Sequence, residues 1–249
     1  MLASLNEIPR GNTCDGVNQT IIKFLLARNE KNIAQNFFDV PCGAGEFLQA
    51  VRQFFPAANI YGADARLTAQ SFIKNFWQIN AQDNFQIQTE TKFDVITSIS
   101  GVMEFDNTLS FLAELKKHLN PGGVLIVTND NLLSIRDRLL YLLFGRTGQY
   151  RLFIEFSAPT WKTISLDNLR RILWEAGFAV KEIKYAPIKR KEWLWLPLAL
   201  PIYLVQRCYL KWAEKTVSAT EKSAFLPFAS QLSRHYILIC EPINDYQAI

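Results

Sequence analysis

The sequence holds little that would commit it to metal, redox or export chemistry. Its four cysteines, Cys14, Cys42, Cys208 and Cys240, stand far apart, form no CxxC pair, and have only two histidines, His118 and His235, for company. Metal-ligand spacing is missing, so a reduced, metal-free protein is expected. The formal net charge is only +4 and no dense Lys/Arg tract occurs, so nucleic acid is not an expected partner. Met1 to Gly16 carry Asn, Glu, Pro and Gly where a signal peptide would need a basic flank and an apolar run, so a cytoplasmic protein is expected. Internal repeats and low-complexity tracts are absent.

What is abundant is apolar surface. Hydrophobic residues make up 49% of the 249-residue chain, with 18 Phe, 8 Tyr and 6 Trp. That is ample for one domain spanning 1–249, with a large core or with a core and a substantial insertion.

Alternating strand and helix patterns run through most of the chain. A helix from about Gly16 to Arg28 precedes a first strand, Asn36 to Val40, which stops at Pro41 and a glycine-rich turn. A helix bearing Phe47, Leu48, Val51 and Phe54 follows. Further strands are expected at Asn59–Ala63, Phe76–Ile79, Phe93–Ser98, Val124–Thr128, Ala179–Tyr185 and Tyr236–Cys240. The helices between them are expected at Leu67–Lys74, from a cap at Asp106 or Asn107 to Leu119, at Leu132–Phe144 and at Leu166–Glu175. Asn120-Pro-Gly-Gly123 reads as a helix stop, Ser165 as a cap and Gly177 as a left-handed helix end. Such alternation implies an α/β fold with a mostly parallel sheet covered on both faces.

The turn Asp39-Val-Pro-Cys-Gly-Ala-Gly45 joins a strand to a helix, where glycines allow close approach of a ligand and the helix amino terminus favours negative charge. Asp64 ends the second strand 21 residues after Gly43, close to the roughly 20-residue spacing at which a carboxylate meets ribose hydroxyls. A nucleoside is therefore expected. The strict dinucleotide fingerprint wants a third glycine where Leu48 stands, which weakens a nicotinamide cofactor.

With these residues in register, the chain from about Val17 to Tyr185 resembles the class I S-adenosylmethionine-dependent methyltransferases. Asp39 to Gly45 match their first motif, Asp64 their ribose-binding acid and Phe93-Asp-Val-Ile96 their fourth strand. Leu115 to Val127 and Leu169 to Phe178 match the helix and strand segments that follow. The resemblance implies a doubly wound, Rossmann-like, seven-stranded sheet, mostly parallel with the last strand antiparallel, and S-adenosylmethionine as the cofactor. Carried over, Gly43 and Gly45 would line the methionine moiety, with Cys42 beside them and Asp39 near its amino group. Asp64, with Ala65, would take the ribose. Asn80, with Ala81, would meet the adenine, and Asp83 is the substitute if the register slips. Ser98 would offer backbone contacts beneath the sulfonium.

Glu104-Phe105 stands where many relatives have Glu-His, so no imidazole base is expected there. Glu104 or Asp130 could take a proton from a hydroxyl acceptor, although a helix-capping Glu104 and a solvated Asp130 are the plainer readings. His118 reads as a solvated helix-end residue and His235 as structural. Two rivals remain open: an NAD(P)-dependent oxidoreductase, and a module that binds S-adenosylmethionine without catalysing methyl transfer. Lipid, quinone, polyketide, glycan and small metabolite are all open as acceptors.

Residues 130–164 and 187–233 are expected to be insertions or a lid on the active-site side. The second contains Trp193-Leu-Trp-Leu-Pro-Leu-Ala-Leu-Pro-Ile-Tyr-Leu-Val205, 13 residues with two prolines, too short for a bilayer, which needs about 20. Lys189 to Lys191 precede it, and Arg207, Lys211 and Trp212 follow. An amphipathic segment with basic and aromatic flanks suits a membrane interface reached through Trp193 to Trp212, and an amphiphilic acceptor; a lid or a dimer contact would bury the same side chains.

Overall fold

A computed structural model describes residues 4–29, 36–66, 72–81, 85–148, 162–213, 215 and 217–243. Strands β1 (Asn36–Asp39), β2 (Asn59–Asp64), β3 (Asn75–Gln78), β4 (Phe93–Ile99), β5 (Leu119–Asp130), β6 (Phe178–Tyr185) and β7 (His235–Pro242) form one sheet in the order β3-β2-β1-β4-β5-β7-β6. β1 to β5 are parallel, whereas β7 runs antiparallel to both β5 and β6. The strand order reverses between β1 and β4, and in open α/β sheets a crevice opens at that point outside the carboxyl ends of the strands.

Alternation along β1 shows how the two layers form. Phe37 packs on one face with Ile21 and Ile22 of α1 (Val17–Asn29) and Leu48 and Val51 of α2 (Glu46–Phe54). Phe38 faces the other side, with Phe111 and Leu115 of α3 (Thr108–Lys117) and Leu169 and Leu173 of α5 (Leu166–Glu175). Every one of these side chains is buried, each stabilising the fold by about 1.5–3 kcal/mol relative to exposure. Asn107 and Ser165 cap α3 and α5 by accepting from Ser110 N–H and Asn168 N–H.

Two local expectations are corrected. Asn120-Pro-Gly-Gly123 is not the stop of α3, which ends at Lys117 with His118 as its cap. Leu119 already pairs with Phe93, and the ladder then jumps to Val95 with Val124, so the Pro-Gly-Gly segment is a bulge inside the β4–β5 pairing. His118 is buried rather than solvated, its Nε2 lying 3.2 Å from Glu114 Oε1 one helical turn away. The helix expected over Leu67–Lys74 falls mostly on 67–71, outside the described residues, as does Asp83.

The chain between β6 and β7 leaves the sheet edge as a 3-10 turn, Arg190–Trp195, then α6 (Leu196–Trp212), α7 (Ala219–Phe225) and α8 (Ala229–Leu232). A small core of Ala199, Leu232 and Ile135 ties this helical segment to α4 (Ile135–Phe144). Buried Glu192 anchors its start to Arg234 at the entry to β7. Ser134 caps α4 and Gly145 ends it in the left-handed region.

Where β4 meets the glycine-rich turn, backbone packing leaves no room for a side chain. A Cβ at Gly101 would run into the ring of Pro41. Gly101→Ala is therefore expected to destabilise the protein by about 1–3 kcal/mol, read as a lowered thermal midpoint; an unchanged midpoint would mean that the turn yields freely.

Candidate functional site

A cavity of about 960 Å³ opens at the carboxyl ends of β1, β2, β4 and β5. Its walls come from the segment before α1 (Arg10, Thr13), the β1–α2 turn, the ends of β2, β4 and β5, and the start of β7.

The glycine turn is built by backbone geometry that side chains resist. Gly43 and Gly45 have φ of 56° and 85°, in the left-handed region. Gly43 donates its N–H to Asp64 Oδ2 at 2.8 Å, and Arg66 N–H donates to Asp64 Oδ1 at 2.9 Å. Both carboxylate oxygens are thus oriented at the cavity wall, and each keeps a lone pair for a further donor. Cys42 and Ala65 line the same wall.

Asp39 ends β1 almost out of contact with water, and Thr97 Oγ1 donates to its Oδ1 at 2.5 Å. Burial, reinforced by the charges of Asp64 and Glu46, pushes its carboxyl up to about 8. Glu104 lines the cavity in the turn after β4, and its pKa is raised by burial and then by Asp64. Asp130 ends β5, pushed up to about 6 by burial first and by Asp137 second, against the pull of Arg234.

Ser98, Asn80 and Ala81, also expected at the donor, are not among the residues that line this cavity. Ser98 is inside β4 and fully buried; the strand runs one residue further than expected, so Ile99 and Ser100 reach the cavity instead. Asn80 is exposed beyond β3, and neither it nor Ala81 belongs to the cavity wall. Ala81 O accepts from Asp106 N–H.

His235, read from sequence as structural, stands in the cavity wall. Its Nε2 lies 3.2 Å from Ser100 Oγ, its Nδ1 lies 3.3 Å from Asp130 Oδ1, and Ser100 Oγ lies 2.8 Å from Thr13 Oγ1. Burial lowers its pKa to about 4 against the raising effect of the Arg234 backbone, and the neighbouring cations Lys189, Arg10 and Arg234 push it down as well. The ring is therefore neutral at pH 7. An antiparallel β7 must begin at the edge where parallel strands end, which is the signal that could have found it. Arg10 and Thr13 precede the first periodic segment and carried no such signal.

The family model for the methyltransferase domain matches residues 14–183 of the chain. No curated protein matches it by sequence. Among solved structures it is similar to an S-adenosylmethionine-dependent methyltransferase from Clostridium acetobutylicum (TM-score 0.54, 11% identity, 92% of this chain and 94% of that one). It is also similar to the magnesium protoporphyrin IX methyltransferase of Synechocystis with bound SAH (TM-score 0.51, 12% identity, 90% and 81%). A third is an O-methyltransferase family protein from Burkholderia thailandensis (TM-score 0.55, 13% identity, 92% and 57%). At these identities the likeness is one of fold.

Proposed function

The chain belongs to the class I methyltransferase domain family, and on that footing we propose that it moves a methyl group from S-adenosylmethionine to a small, amphiphilic acceptor. The observation that carries this reading is the convergence of the left-handed glycine turn, Asp39 and Asp64 on one cavity at the carboxyl edge of the sheet.

The residues present fit the donor. Asp39 is a buried acid whose carboxyl lies next to the cavity with Thr97 Oγ1 as its hydrogen-bond donor, a setting that an ammonium group would complement. Asp64 is oriented by two backbone N–H groups and can accept from ribose hydroxyls. Asn80 would reach the adenine amino group from beyond β3. When bound, the donor supplies a methyl group already activated on a positively charged sulfur. The chain's task is then to hold the acceptor in line and keep water out, with Phe47, Met103 and Leu132 as apolar parts of the wall.

The oxidoreductase alternative meets a specific obstacle at Leu48. That side chain is fully buried against β2, where Gly62 makes the room: a Cβ on Gly62 would meet Leu48 Cδ1 at 3.2 Å. Helix and strand are close-packed here without the third glycine of a dinucleotide site.

Surface chemistry supports an acceptor drawn from a membrane interface. Among the described residues, no helix is long and apolar enough to cross a bilayer. Yet α6 and the turn before it leave Leu194, Leu204, Val205 and Trp212 between 56% and 81% exposed, and α4 leaves Leu142 78% exposed. Lys189, Arg190, Lys191, Arg207 and Lys211 flank the α6 residues, as basic groups do at headgroup depth. Wild-type protein is expected to float with anionic liposomes, and Leu194→Ser/Leu204→Ser/Val205→Ser to stay at the bottom. Wild type that stays at the bottom with anionic and neutral vesicles alike, and runs as a dimer, would assign the surface to a second copy instead.

Incubation with methyl-labelled donor and fractionated cell extract tests the activity itself. Label should enter the organic-soluble or small-molecule fraction. Label confined to protein or RNA would contradict the acceptor class.

A further inference from the structure

An acceptor hydroxyl or amine that gains a methyl group must lose a proton, and the cavity offers a second group besides Glu104 to receive it. We propose that Ser100, His235 and Asp130 form a proton relay for the acceptor, with Ser100 facing the acceptor, His235 taking the proton and Asp130 holding the imidazole. The proposal rests on the methyl-transfer reading for its substrate and on independent geometry for its parts.

Ser100 is the only described non-glycine residue with positive φ, at 56°. An L residue adopts that region at a cost, and such residues cluster where a side chain must be aimed. Here the backbone is pinned: Ser100 N–H donates to Thr128 Oγ1 at 2.9 Å, and Gly101 beyond it is pressed against Pro41. The pinned turn puts Ser100 Oγ within reach of both Thr13 Oγ1 and His235 Nε2.

His235 comes from the far end of the chain, and β7 pairs directly with β5, bringing His235 opposite Asp130 in the ladder. Their side chains approach to 3.3 Å at Nδ1, a buried nitrogen that makes no hydrogen bond among the described residues and has the Asp130 carboxylate as its near neighbour. The groups around the ring are Asp130 from β5, Lys189 ahead of the helical segment, Arg10 from the segment before α1, and Arg234 beside it. Burial first, and the three cations after it, keep the ring neutral against the pull of the Arg234 backbone carbonyl. It gains charge only when a proton is delivered, with Asp130 beside it to stabilise the cation.

The step balances as follows. The acceptor O–H or N–H proton passes to Ser100 Oγ while the Ser100 proton passes to His235 Nε2. The acceptor keeps the bonding pair for its new bond to carbon, and the imidazolium returns its proton to solvent through the cavity mouth. The relay requires the hydrogen on Nδ1, the side on which Asp130 stands, so that Nε2 is the acceptor. Ser–His–carboxylate arrays are recognised by such roles rather than by order in the chain.

Because the chain has only two histidines, ring-nitrogen NMR reads this tautomer in the intact protein without any acceptor. Wild type should show His235 neutral at pH 7 as the Nδ1–H tautomer, Asp130→Asn should mix the tautomers, and Ser100→Ala should move the Nε2 shift. An Nε2–H tautomer in wild type, or one indifferent to Asp130→Asn, overturns the relay. On whichever extract fraction wild type labels, His235→Gln and Ser100→Ala should each slow transfer by about 100-fold or more, with the double variant hardly slower than either. Donor affinity should change less than about threefold, and added imidazole should restore part of the activity of His235→Ala. Wild-type rates in His235→Gln overturn the proposal. A wild type that labels nothing and binds no donor overturns the methyl-transfer reading instead, and the tautomer still decides the relay.

Discussion

Asp64→Ala should weaken binding of S-adenosylmethionine and its demethylated product by at least about 100-fold, or roughly 3 kcal/mol. Two ribose hydrogen bonds to a charged carboxylate account for much of this. The rest comes from the protein itself, since the same carboxylate accepts the N–H groups of Gly43 and Arg66. Removing it frees the left-handed turn as well as the ribose acceptor. Asp64→Asn separates the two effects: it keeps an oxygen for one N–H but loses the charge, and should fall between wild type and alanine. Calorimetric titration of the three proteins reads the result, and an unchanged affinity for alanine would place the ribose elsewhere.

Asp39→Asn should make the unliganded protein more stable while impairing it as a receptor. In the folded chain the Asp39 carboxyl is raised to about 8, whereas the unfolded chain ionises it near the ordinary 3.8. For a raised pKa, the group's full contribution is present below the unfolded value and is lost as pH climbs to the folded one. Each pH unit between them costs about 1.4 kcal/mol. At pH 7 to 8 the neutral isostere avoids most of that cost, with Thr97 still able to donate to the amide oxygen. Denaturant unfolding at pH 5 and pH 8 should show the stability of wild type falling more steeply than that of the variant. Donor affinity of the variant should drop more than tenfold, because no anion is left to meet the ammonium. In wild type below pH 8, donor binding should release a proton, visible in buffers of different ionisation enthalpy. Parallel pH profiles and equal affinities would show that Asp39 is a structural residue only.

The sheet was legible because each strand is a short apolar run closed by a turn residue, and the helices between carry one apolar face. Phe37 and Phe38 side by side already announce a strand buried on both faces. The cavity wall made by the glycine turn and Asp64 was legible for a related reason: glycines at positive φ and an acid at a strand end are local signals. The cluster of Thr13, Ser100, Asp130 and His235 was not legible beyond Asp130, since long-range pairing brings it together, with Ser100 and His235 separated by 135 positions in the sequence. No periodicity marks such a set. β3 and β4 end one residue away from the expected positions, which puts Ser98 inside β4 and Asn80 beyond β3. The Pro-Gly-Gly bulge misled because glycine and proline stop helices and interrupt strands alike.

The central claim is that the cavity over the glycine turn receives a methyl-donor nucleoside. Calorimetry of wild type against S-adenosylhomocysteine, S-adenosylmethionine and NAD, with Asp64→Ala as the control, tests it most directly. The account predicts saturable binding of both sulfur nucleosides, lost in Asp64→Ala, and no binding of NAD. Tight binding of NAD, with neither sulfur nucleoside binding at millimolar concentration, would contradict it.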